Sequence, residues 1–400
     1  MQPLAGRKIW FVGIGGAGLS GYAVVSKAWG AEVAGWDRYE TPYIEHVRAA
    51  GIPVTVAPEP VAALDGWETV VSTAFAGQAE GQTRADFLAE LVGYARSIVV
   101  AGAHGKTTTA AMIAFVLNRL GLDPSFLIGG EVPQLGGNAR AGTGWLVVEG
   151  DESDRTVFAL RPEIGVITNV DLDHHTTFAS ASDLAEAFSD WSRRLAPGHI
   201  VWGHELEPTD IELAVPGEHN RVNAACALAA LELAGVARED ASTALREFRG
   251  AGRRLEARGE VGGIRLVDDY AHHPAEIAAA LAAARRLTDD GRVLVLFQPH
   301  LYSRTLHLAN ELAAALAAAD VVAVAEIYPA REEPLDDVTG KLVVDRLSEL
   351  RAGMPVAWTP TVEQGARMLA GLARPGDLVL TIGAGDVDKA VPFLQETLCG

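Results

Sequence analysis

The sequence predicts an α/β protein with mostly parallel sheets, and its alternating pattern supports that prediction. Short runs rich in β-branched residues alternate with longer Ala- and Leu-rich stretches along the 400 residues. Continuous apolar strands separated by helical stretches are typical of parallel sheets covered by helices. The strand-like runs are IWFVGIG, EVAGWD, TVVSTA, SIVVAGA, GWLVVEGD, IGVITNV, GIRLVDDY, RVLVLFQPH, DVVAVAEIY and DLVLTIGAG.

Breaks in this pattern predict three domains, which suits the length of the chain. A second strand-and-helix series opens at Ser97, and another break falls between Gly250 and Arg253. The predicted domains therefore cover 1–96, 97–250 and 251–400. The stretch 197–216 has no strong periodicity, so a short connector or a reduced β element is expected there.

Composition favours small-molecule chemistry in a reducing compartment. The 52 acidic and 33 basic residues give a net charge of −19, which would repel nucleic acid and anionic membranes. Two cysteines, Cys226 and Cys399, offer neither a disulfide framework nor a thiolate metal site. The sequence has no run of 18 or more apolar residues, so no membrane span is predicted. We expect a cytoplasmic monomer or homodimer that binds no nucleic acid or membrane.

A glycine-rich turn follows the predicted strand at 98–101. It reads Gly102, Ala103, His104, Gly105, Lys106, Thr107, Thr108, and an apolar helical pattern follows. Such a turn directs backbone N–H groups and a helix N-terminus at phosphates, while the lysine reaches the outer phosphates and a hydroxyl binds Mg²⁺. Its glycine spacing is shorter than the general phosphate-loop form, so a chance glycine turn is the alternative. The strand-loop-helix context favours the phosphate loop.

Two later strands end in polar side chains that could support such a loop. One is followed by Glu149, Asp151, Glu152 and Asp154, and the next by Thr168, Asn169, Asp173, His174 and His175. Ligands gather at the carboxyl ends of parallel strands, and oxygen donors suit Mg²⁺. The alternative is a solvated acidic loop beside a hydrogen-bonded histidine. Together with the lysine loop, these residues predict a nucleotide and metal site.

Another glycine loop lies near the N-terminus. Gly13, Gly15 and Gly18 form GxGxxG after a predicted strand, and Asp37 ends the next strand. Taken alone, this pattern is typical of a nicotinamide-dependent dehydrogenase. Whether the ligand is that cofactor or another molecule with a diphosphate, the diphosphate would lie on the amides of a helix N-terminus.

Eight motifs occur in order between residues 104 and 386: HGKTTT, EGDESD, TNVDLDH, GEHNRVNAACAL, GAGRRLE, VDDYAHHP, LFQPHLYSRT and TIGAGD. With the opening FVGIGGAGLSG, they resemble the Mur ligase family. The resemblance implies an N-terminal Rossmann-like domain for a UDP-sugar, a central P-loop ATPase domain and a C-terminal Rossmann-like domain that admits an amino acid. It also implies an ATP- and Mg²⁺-dependent ligase that forms an acyl phosphate. A UDP-sugar is preferred to a nicotinamide cofactor because a phosphate loop has no role in hydride transfer.

The resemblance also assigns roles to residues. Lys106 would bind the phosphates, Thr107 and Glu149 one Mg²⁺, and His174 a second Mg²⁺ or the transferred phosphoryl group. The other expected nucleotide contacts are Gly102, His104, Gly105, Thr108, Asn220, Asn223, Arg254 and Asp269. The expected substrate contacts are Gly15, Gly16, Ala17, Gly18, Ser20, Asp37, Ser72, Glu152, Ser153, Tyr270, His272, His273, His300 and Arg304, the last also with a catalytic role.

The distribution of lysine bears on the branch of the family. Several sister ligases need a carbamylated lysine in the central domain, but this chain has no lysine between residues 107 and 340. That absence fits the alanine-adding branch, with UDP-N-acetylmuramate and L-alanine as substrates. A muramyl-peptide recycling ligase, a ligase with another acceptor and a non-catalytic nucleotide-binding regulator are the alternatives. The chain departs from the family pattern at Leu301, Thr176 and the shorter segments at 72–97 and 197–216.

Overall fold

The computed structural model of the chain describes residues 2–171, 177–288, 290–330 and 332–399. The described strands, β1 to β17 in chain order, are Lys8–Val12, Glu32–Asp37, Val54–Val56, Glu68–Val71, Gln82–Thr83, Ser97–Ala101, Ser125–Val132, Gly137–Arg140, Leu146–Glu149, Ile164–Ile167, Ile200–Trp202, Glu256–Val261, Ile264–Asp269, Val293–Phe297, Val321–Ala325, Val356–Thr359 and Leu378–Ile382. The described helices, α1 to α12, are Ala17–Ala28, Pro42–Ala49, Arg84–Gly93, Lys106–Arg119, Ala181–Ser192, Glu218–Leu233, Arg238–Leu245, Pro274–Arg286, Tyr302–Leu316, Lys341–Leu350, Val362–Leu372 and Ala390–Cys399.

The first sheet has the strand order β3-β2-β1-β4-β5, and every pairing in it is parallel. Its central strand β1 buries Ile9 through Val12, as expected for a strand covered on both faces. Phe11 on one face packs edge-on against Phe87 of α3, with ring centroids 5.5 Å apart. The chain leaves the carboxyl end of β1 through the glycine loop into α1.

The second sheet has the order β11-β10-β6-β9-β7-β8, and all its pairings are parallel except β7 with β8. Strand β6, which leads into the phosphate loop, is buried along its whole length and lies between β10 and β9. The carboxyl ends of these three strands therefore meet at one edge of the sheet. Between residues 197 and 216, the chain adds only the short edge strand β11 and a turn of 3₁₀ helix at Gly203–Glu205.

The third sheet has the order β12-β13-β17-β14-β15-β16, with only β12 antiparallel to its neighbour. One core cluster joins the sheet to α8, α9 and α10, and another joins it to α11 and α12. Both faces are thus covered by helices. This arrangement explains why β14, β15 and β17 are buried throughout.

The chain divides into two compact units, one formed by 1–214 with 221–251 and the other by 215–220 with 252–400. The first unit holds the first and second sheets, and the second unit holds the third sheet. The predicted α/β class with mostly parallel sheets is confirmed, since each of the ten strand-like runs contains a strand with a parallel neighbour. The domain boundaries at 96/97 and 250/251 stay predictions. Across the described part of the chain, no helix is both long enough and apolar enough to cross a bilayer.

Candidate active site

The phosphate loop lies between β6 and α4, and two glycines give it its shape. Gly102 and Gly105 have φ angles of +119° and +78°, which side chains with a Cβ rarely adopt. A Cβ on Gly102 would lie 2.3 Å from Thr168 Oγ1, and one on Gly105 would lie 2.2 Å from Asn223 Oδ1. The backbone can therefore fold tightly around a polyphosphate only with glycine at both positions. Helix α4 begins at Lys106, directly after Gly105, so its amino end faces the loop.

Lys106 is held inside this loop by three acceptors. Its Nζ donates to the carbonyl of Gly102 at 2.6 Å, to that of Ala103 at 3.2 Å and to Glu152 Oε2 at 3.0 Å. Although burial acts to lower it, the charges of Glu152 and Asp151 hold the pKa of Lys106 above its usual value. Lys106 therefore carries a permanent positive charge at the loop. Sequence reasoning assigned Glu152 to the substrate and did not predict this pair.

Thr107 and Glu149 meet beside the lysine, as predicted for an Mg²⁺ site. Thr107 Oγ1 donates to Glu149 Oε1 at 3.0 Å, and the Gly129 amide donates to Glu149 Oε2 at 2.7 Å. A hydroxyl and a carboxylate are the hard oxygen donors that Mg²⁺ prefers, and this ion usually takes its other ligands from phosphates and water. Among the described residues, no group of three or more His, Cys, Asp or Glu side chains could hold a metal. The Thr107 hydroxyl and the Glu149 carboxylate are suited to an Mg²⁺ ion that takes its other ligands from a nucleotide and water.

The end of β10 braces the phosphate loop. Thr168 Oγ1 donates to the carbonyls of Ala101 at 3.0 Å and His104 at 2.6 Å, while Asn169 Nδ2 donates to His104 O at 2.8 Å. The amide of His104 donates back to Asn169 Oδ1 at 3.1 Å. Thr168 and Asn169 therefore shape the loop in this structure, whereas the sequence suggested oxygen donors for a metal. The structure does not describe Asp173, His174, His175 and Thr176, so the role of His174 stays a prediction.

Other predicted nucleotide and substrate residues lie near the same loop in the first unit. Asn223 is buried in α6 next to Gly105, and Thr108 is buried in the first turn of α4. His104 Nε2 lies 3.6 Å from Asp171 Oδ2. The Ser153 amide donates to Asp151 Oδ1 at 2.8 Å, which fixes the turn after β9. The structure thus brings the motifs at 102–109, 149–154 and 223 together, and their ligand roles stay predictions.

The N-terminal glycine loop is held by Asp37. Asp37 Oδ2 accepts the Gly15 amide at 2.7 Å, and Oδ1 accepts the Arg38 amide at 2.7 Å. In a nicotinamide-binding fold, this carboxylate would accept the ribose hydroxyls of the cofactor. Here each oxygen accepts a backbone amide and the residue is buried, so the carboxylate shapes the loop and its ligand role stays a prediction.

The other predicted residues of this loop surround the start of α1. Gly16 caps α1, Ala17 and Gly18 form its first turn, and Ser20 is buried one turn on, where its hydroxyl donates to Ala17 O at 3.3 Å. Ser72 follows β4, where its hydroxyl accepts the Ala74 amide at 3.4 Å. The amides of Gly15 and Gly16 donate to Asp37 Oδ2 and to the Gly13 carbonyl, whereas the amides of the first turn of α1 are suited to a diphosphate.

In the second unit, the predicted residues lie where β13 and β14 end. Tyr270 packs against the Arg254 guanidinium, 5.2 Å from ring centroid to Cζ, and Arg254 Nη1 lies 3.7 Å from Glu276 Oε1. His272 Nδ1 lies 3.0 Å from the Tyr270 carbonyl, and His273 caps α8 by accepting the Ala275 amide. Asn220, also in this unit, donates from Nδ2 to Pro216 O at 2.7 Å.

His300 and Arg304 form a further pair in the second unit. Arg304 Nη1 donates to His300 Nδ1 at 3.0 Å, and the His300 ring lies 5.7 Å from that of His272. Leu301, between β14 and α9, has a φ of +71°, a conformation that side chains other than glycine adopt at a cost. The contact between His272 and His300 places the DYAHHP and QPH motifs next to each other, and their substrate roles stay predictions.

Asp269 is expected to titrate near neutral pH. Its carboxylate is buried and accepts the amides of Leu255 and Ala271, each at 2.8 Å. Burial raises the pKa of Asp269 to about 6, although Arg254 and these amides act in the opposite direction. Between roughly pH 4 and 6, the folded chain keeps a proton that the unfolded chain has released. The contribution of this carboxyl to the free energy of unfolding therefore falls as the pH rises through that window.

The measurement is a carboxyl ¹³C NMR titration, with Asp269→Asn used to assign the signal. We expect a midpoint near pH 6. A midpoint close to pH 4, the ordinary value for aspartate, would contradict the burial argument.

Comparison with known proteins agrees with this geometry. Residues 8–94 match the model described as Mur ligase family, catalytic domain, residues 100–201 the Mur ligase middle domain, and residues 253–385 the Mur ligase, glutamate ligase domain. A UDP-N-acetylmuramate–L-alanine ligase of Streptomyces coelicolor is 38% identical over 459 residues, covering 99% of this chain and 98% of the relative. The chain belongs to the Mur ligase family. The protein of the same name from Renibacterium salmoninarum is 40% identical over 98% of this chain and 96% of the relative.

Solved structures of Mur ligases give the same picture. UDP-N-acetylmuramate-alanine ligase MurC from Thermotoga maritima matches with a TM-score of 0.79 and 27% identity, covering 97% of this chain and 98% of that one. A murein peptide ligase from Psychrobacter arcticus, with a TM-score of 0.65 and 21% identity, shares the fold. Because 459 aligned residues span a chain of 400, the Streptomyces coelicolor Mur ligase has positions that this one lacks.

Proposed function

We propose that this chain joins L-alanine to the carboxylate of UDP-N-acetylmuramate at the expense of ATP and Mg²⁺, in the synthesis of peptidoglycan precursors. The observation that carries the proposal is the phosphate loop itself. Lys106 lies in the loop, and Thr107 lies 3.0 Å from Glu149 at the carboxyl end of β9. Two relatives of nearly the full length carry the name of this activity, which supports the same substrates.

The proposed reaction has two bond-forming steps. An oxygen of the muramate carboxylate attacks the γ-phosphorus of ATP, which breaks the bond to ADP and leaves an acyl phosphate. The amine of L-alanine then attacks the acyl carbon, inorganic phosphate leaves and the amine loses a proton. The first step concentrates negative charge on the transferring oxygens, so positive charge must be fixed around them.

The first unit supplies groups suited to that task. Lys106 keeps its positive charge because carboxylates surround it. The backbone amides of the loop and of the amino end of α4 add partial positive charge. Thr107 and Glu149 would hold Mg²⁺, which would supply positive charge to neutralise the phosphate oxygens. A non-catalytic nucleotide-binding regulator would need the phosphate loop but not the Glu149 carboxylate beside Thr107. The roles of His174, Asn220, Arg254, Asp269 and the amino-acid contacts, and a cytoplasmic location, stay predictions.

The test is a phosphate-release assay with UDP-N-acetylmuramate, ATP and Mg²⁺ against a panel of amino acids and the tripeptide L-alanyl-γ-D-glutamyl-meso-diaminopimelate. We expect release to depend on both UDP-N-acetylmuramate and L-alanine, and mass spectrometry to find the amide product. Preferred use of the tripeptide would instead indicate a peptide-recycling ligase. Equal release without UDP-N-acetylmuramate would reduce the chain to an ATPase and overturn the proposal. In a separate assay with added nicotinamide cofactor, a change in its absorbance would support the dehydrogenase alternative.

A further inference from the structure

Arg84 lies beside the glycine loop, although nothing in the sequence singled it out. It is the first residue of α3, which follows the edge strand β5 of the first sheet. Its guanidinium reaches back to the first turn of α1. A Cβ on Gly18 would lie only 2.9 Å from Arg84 Nη1, so the glycine leaves room for the cation.

The hydrogen bonds of this guanidinium are incomplete. Its Nη2 donates to Asp154 Oδ2 at 2.6 Å. Its Nε is buried and, among residues 2–171, 177–288, 290–330 and 332–399, has no acceptor. A guanidinium has five N–H donors, and a buried donor without a partner is destabilising. The arrangement leaves the Arg84 Nε donor for an acceptor that the described part of the chain does not supply.

The charges around Arg84 point to an anionic acceptor. The amino end of α1 is positive, so a cation placed beside it is unfavourable unless negative charge is near. Tyr22, one turn further along α1, is buried, and burial raises its pKa to about 12, so its phenol adds no negative charge. Asp154 and Asp151 are the carboxylates that act on Arg84 within the described residues. They belong to the loop after β9, which also carries Glu152.

We propose that Arg84 binds the diphosphate of the nucleotide-sugar substrate, with Asp154 orienting its guanidinium over the first turn of α1. This assignment rests on the proposed function, because it assumes that the glycine loop takes a UDP-sugar. A diphosphate placed on the amides of α1 would lie next to Nη1, and guanidinium groups pair well with phosphate oxygens. The muramate carboxylate is a poorer candidate for this contact, because it must reach the separate phosphate loop at 102–109.

Calorimetry with two nucleotide sugars tests the assignment. UDP-N-acetylmuramate carries the diphosphate and the carboxylate, whereas UDP-N-acetylglucosamine carries the diphosphate alone. We expect Arg84→Ala to weaken the binding of both by about tenfold or more, the size expected for a charged hydrogen bond. Arg84→Lys should recover part of the affinity because it keeps the charge and loses the fork. In the ligase assay, the KM for UDP-N-acetylmuramate should rise while the KM for ATP and kcat change little.

Arg7 provides a matched control. Its side chain is 21% exposed, against 22% for Arg84, and it pairs with Glu68 of β4 and Glu90 of α3. Arg7→Ala should lower thermal stability and leave the binding of both nucleotide sugars unchanged. An equal loss of binding in both variants would mean that Arg84 acts through the fold and would overturn the proposal.

Two further outcomes separate this proposal from the one on which it rests. If the wild-type chain binds both nucleotide sugars and Arg84→Ala binds them equally well, or weakens only UDP-N-acetylmuramate, the diphosphate assignment is wrong and the proposed function stands. If the wild-type chain binds neither, the proposed function and this assignment fail together.

Discussion

Lys106→Met should reduce phosphate release by on the order of 10³-fold, since a single preorganised charge in an active site has about this effect on kcat. The side chain stays charged because Glu152 and Asp151 surround it. It lies in a loop whose backbone is fixed by Gly102 and Gly105. Methionine keeps much of the length and volume of lysine and removes the charge, so the loss reports on charge rather than on packing.

A folding defect has to be separated from this effect. Glu152 is only 1% exposed, and removing the cation from a buried ion pair typically costs about 3–5 kcal/mol. The double variant Lys106→Met/Glu152→Gln removes both charges, so we expect it to recover most of the thermal stability that the single variant loses. It should stay inactive in the phosphate-release assay. A double variant that is folded and releases phosphate at the wild-type rate would show that Lys106 has no part in the chemistry.

Glu149→Gln should reduce phosphate release by roughly 10²-fold and shift the Mg²⁺ dependence to higher concentration. Glu149 is the carboxylate next to Thr107, and its two oxygens accept from Thr107 and from the Gly129 amide. Glutamine has the same shape but lacks the negative charge, and its amide nitrogen would face one of these two donors. The metal site would therefore lose the negative charge of one ligand, and the side chain that replaces it would be held in a different orientation.

The measurement is an Mg²⁺ titration of the phosphate-release rate for both proteins. Glu163→Gln is the matched control, because Glu163 belongs to the same unit and pairs on the surface with Arg96 at 2.7 Å. It should leave the titration unchanged. An Mg²⁺ midpoint in Glu149→Gln equal to that of wild type would remove Glu149 from the metal site.

The sequence predicted the central strands well and the edge strands poorly, for a physical reason. A parallel strand covered on both faces must be apolar throughout, so a run such as SIVVA at β6 is visible in the sequence. Edge strands carry no such requirement. The exposed VTV of the edge strand β3 and the charged EARGEV of the edge strand β12 lack a continuous apolar pattern, and the ten strand-like runs did not include them.

The candidate site shows the same division. The loop at 102–109 and the pairing of Thr107 with Glu149 follow from residue types placed at neighbouring strand ends. The partner of Lys106 did not follow, because several carboxylates lie within a few residues and only the fold selects Glu152. The hydrogen bonds from the Gly15 and Arg38 amides to Asp37 were not predicted either, and the ligand role of Asp37 stays a prediction. A short sequence pattern does not distinguish an acceptor for a ligand from an acceptor for the chain.

Arg84 was missed for a related reason. An arginine at the first position of a helix has no distinctive spacing, and its neighbours in sequence resemble an ordinary amphipathic helix. Only the approach of the guanidinium to Gly18, which is 66 residues earlier in the sequence numbering, gives it meaning. Contacts of this length are set by topology and not by local pattern.

The hydrogen bonds from Thr168 and Asn169 have a consequence for the affinity of the loop. The side chains of Thr168 and Asn169, which follow β10, hydrogen-bond the carbonyls of Ala101 and His104. The backbone of the loop therefore loses much of its conformational entropy when the protein folds, and less remains to be lost when a ligand binds. Phosphate recognition is in that sense preorganised. In the proposed nucleotide site, we therefore expect affinity to depend on the uncharged Thr168 and Asn169 at the neighbouring strand end as well as on Lys106.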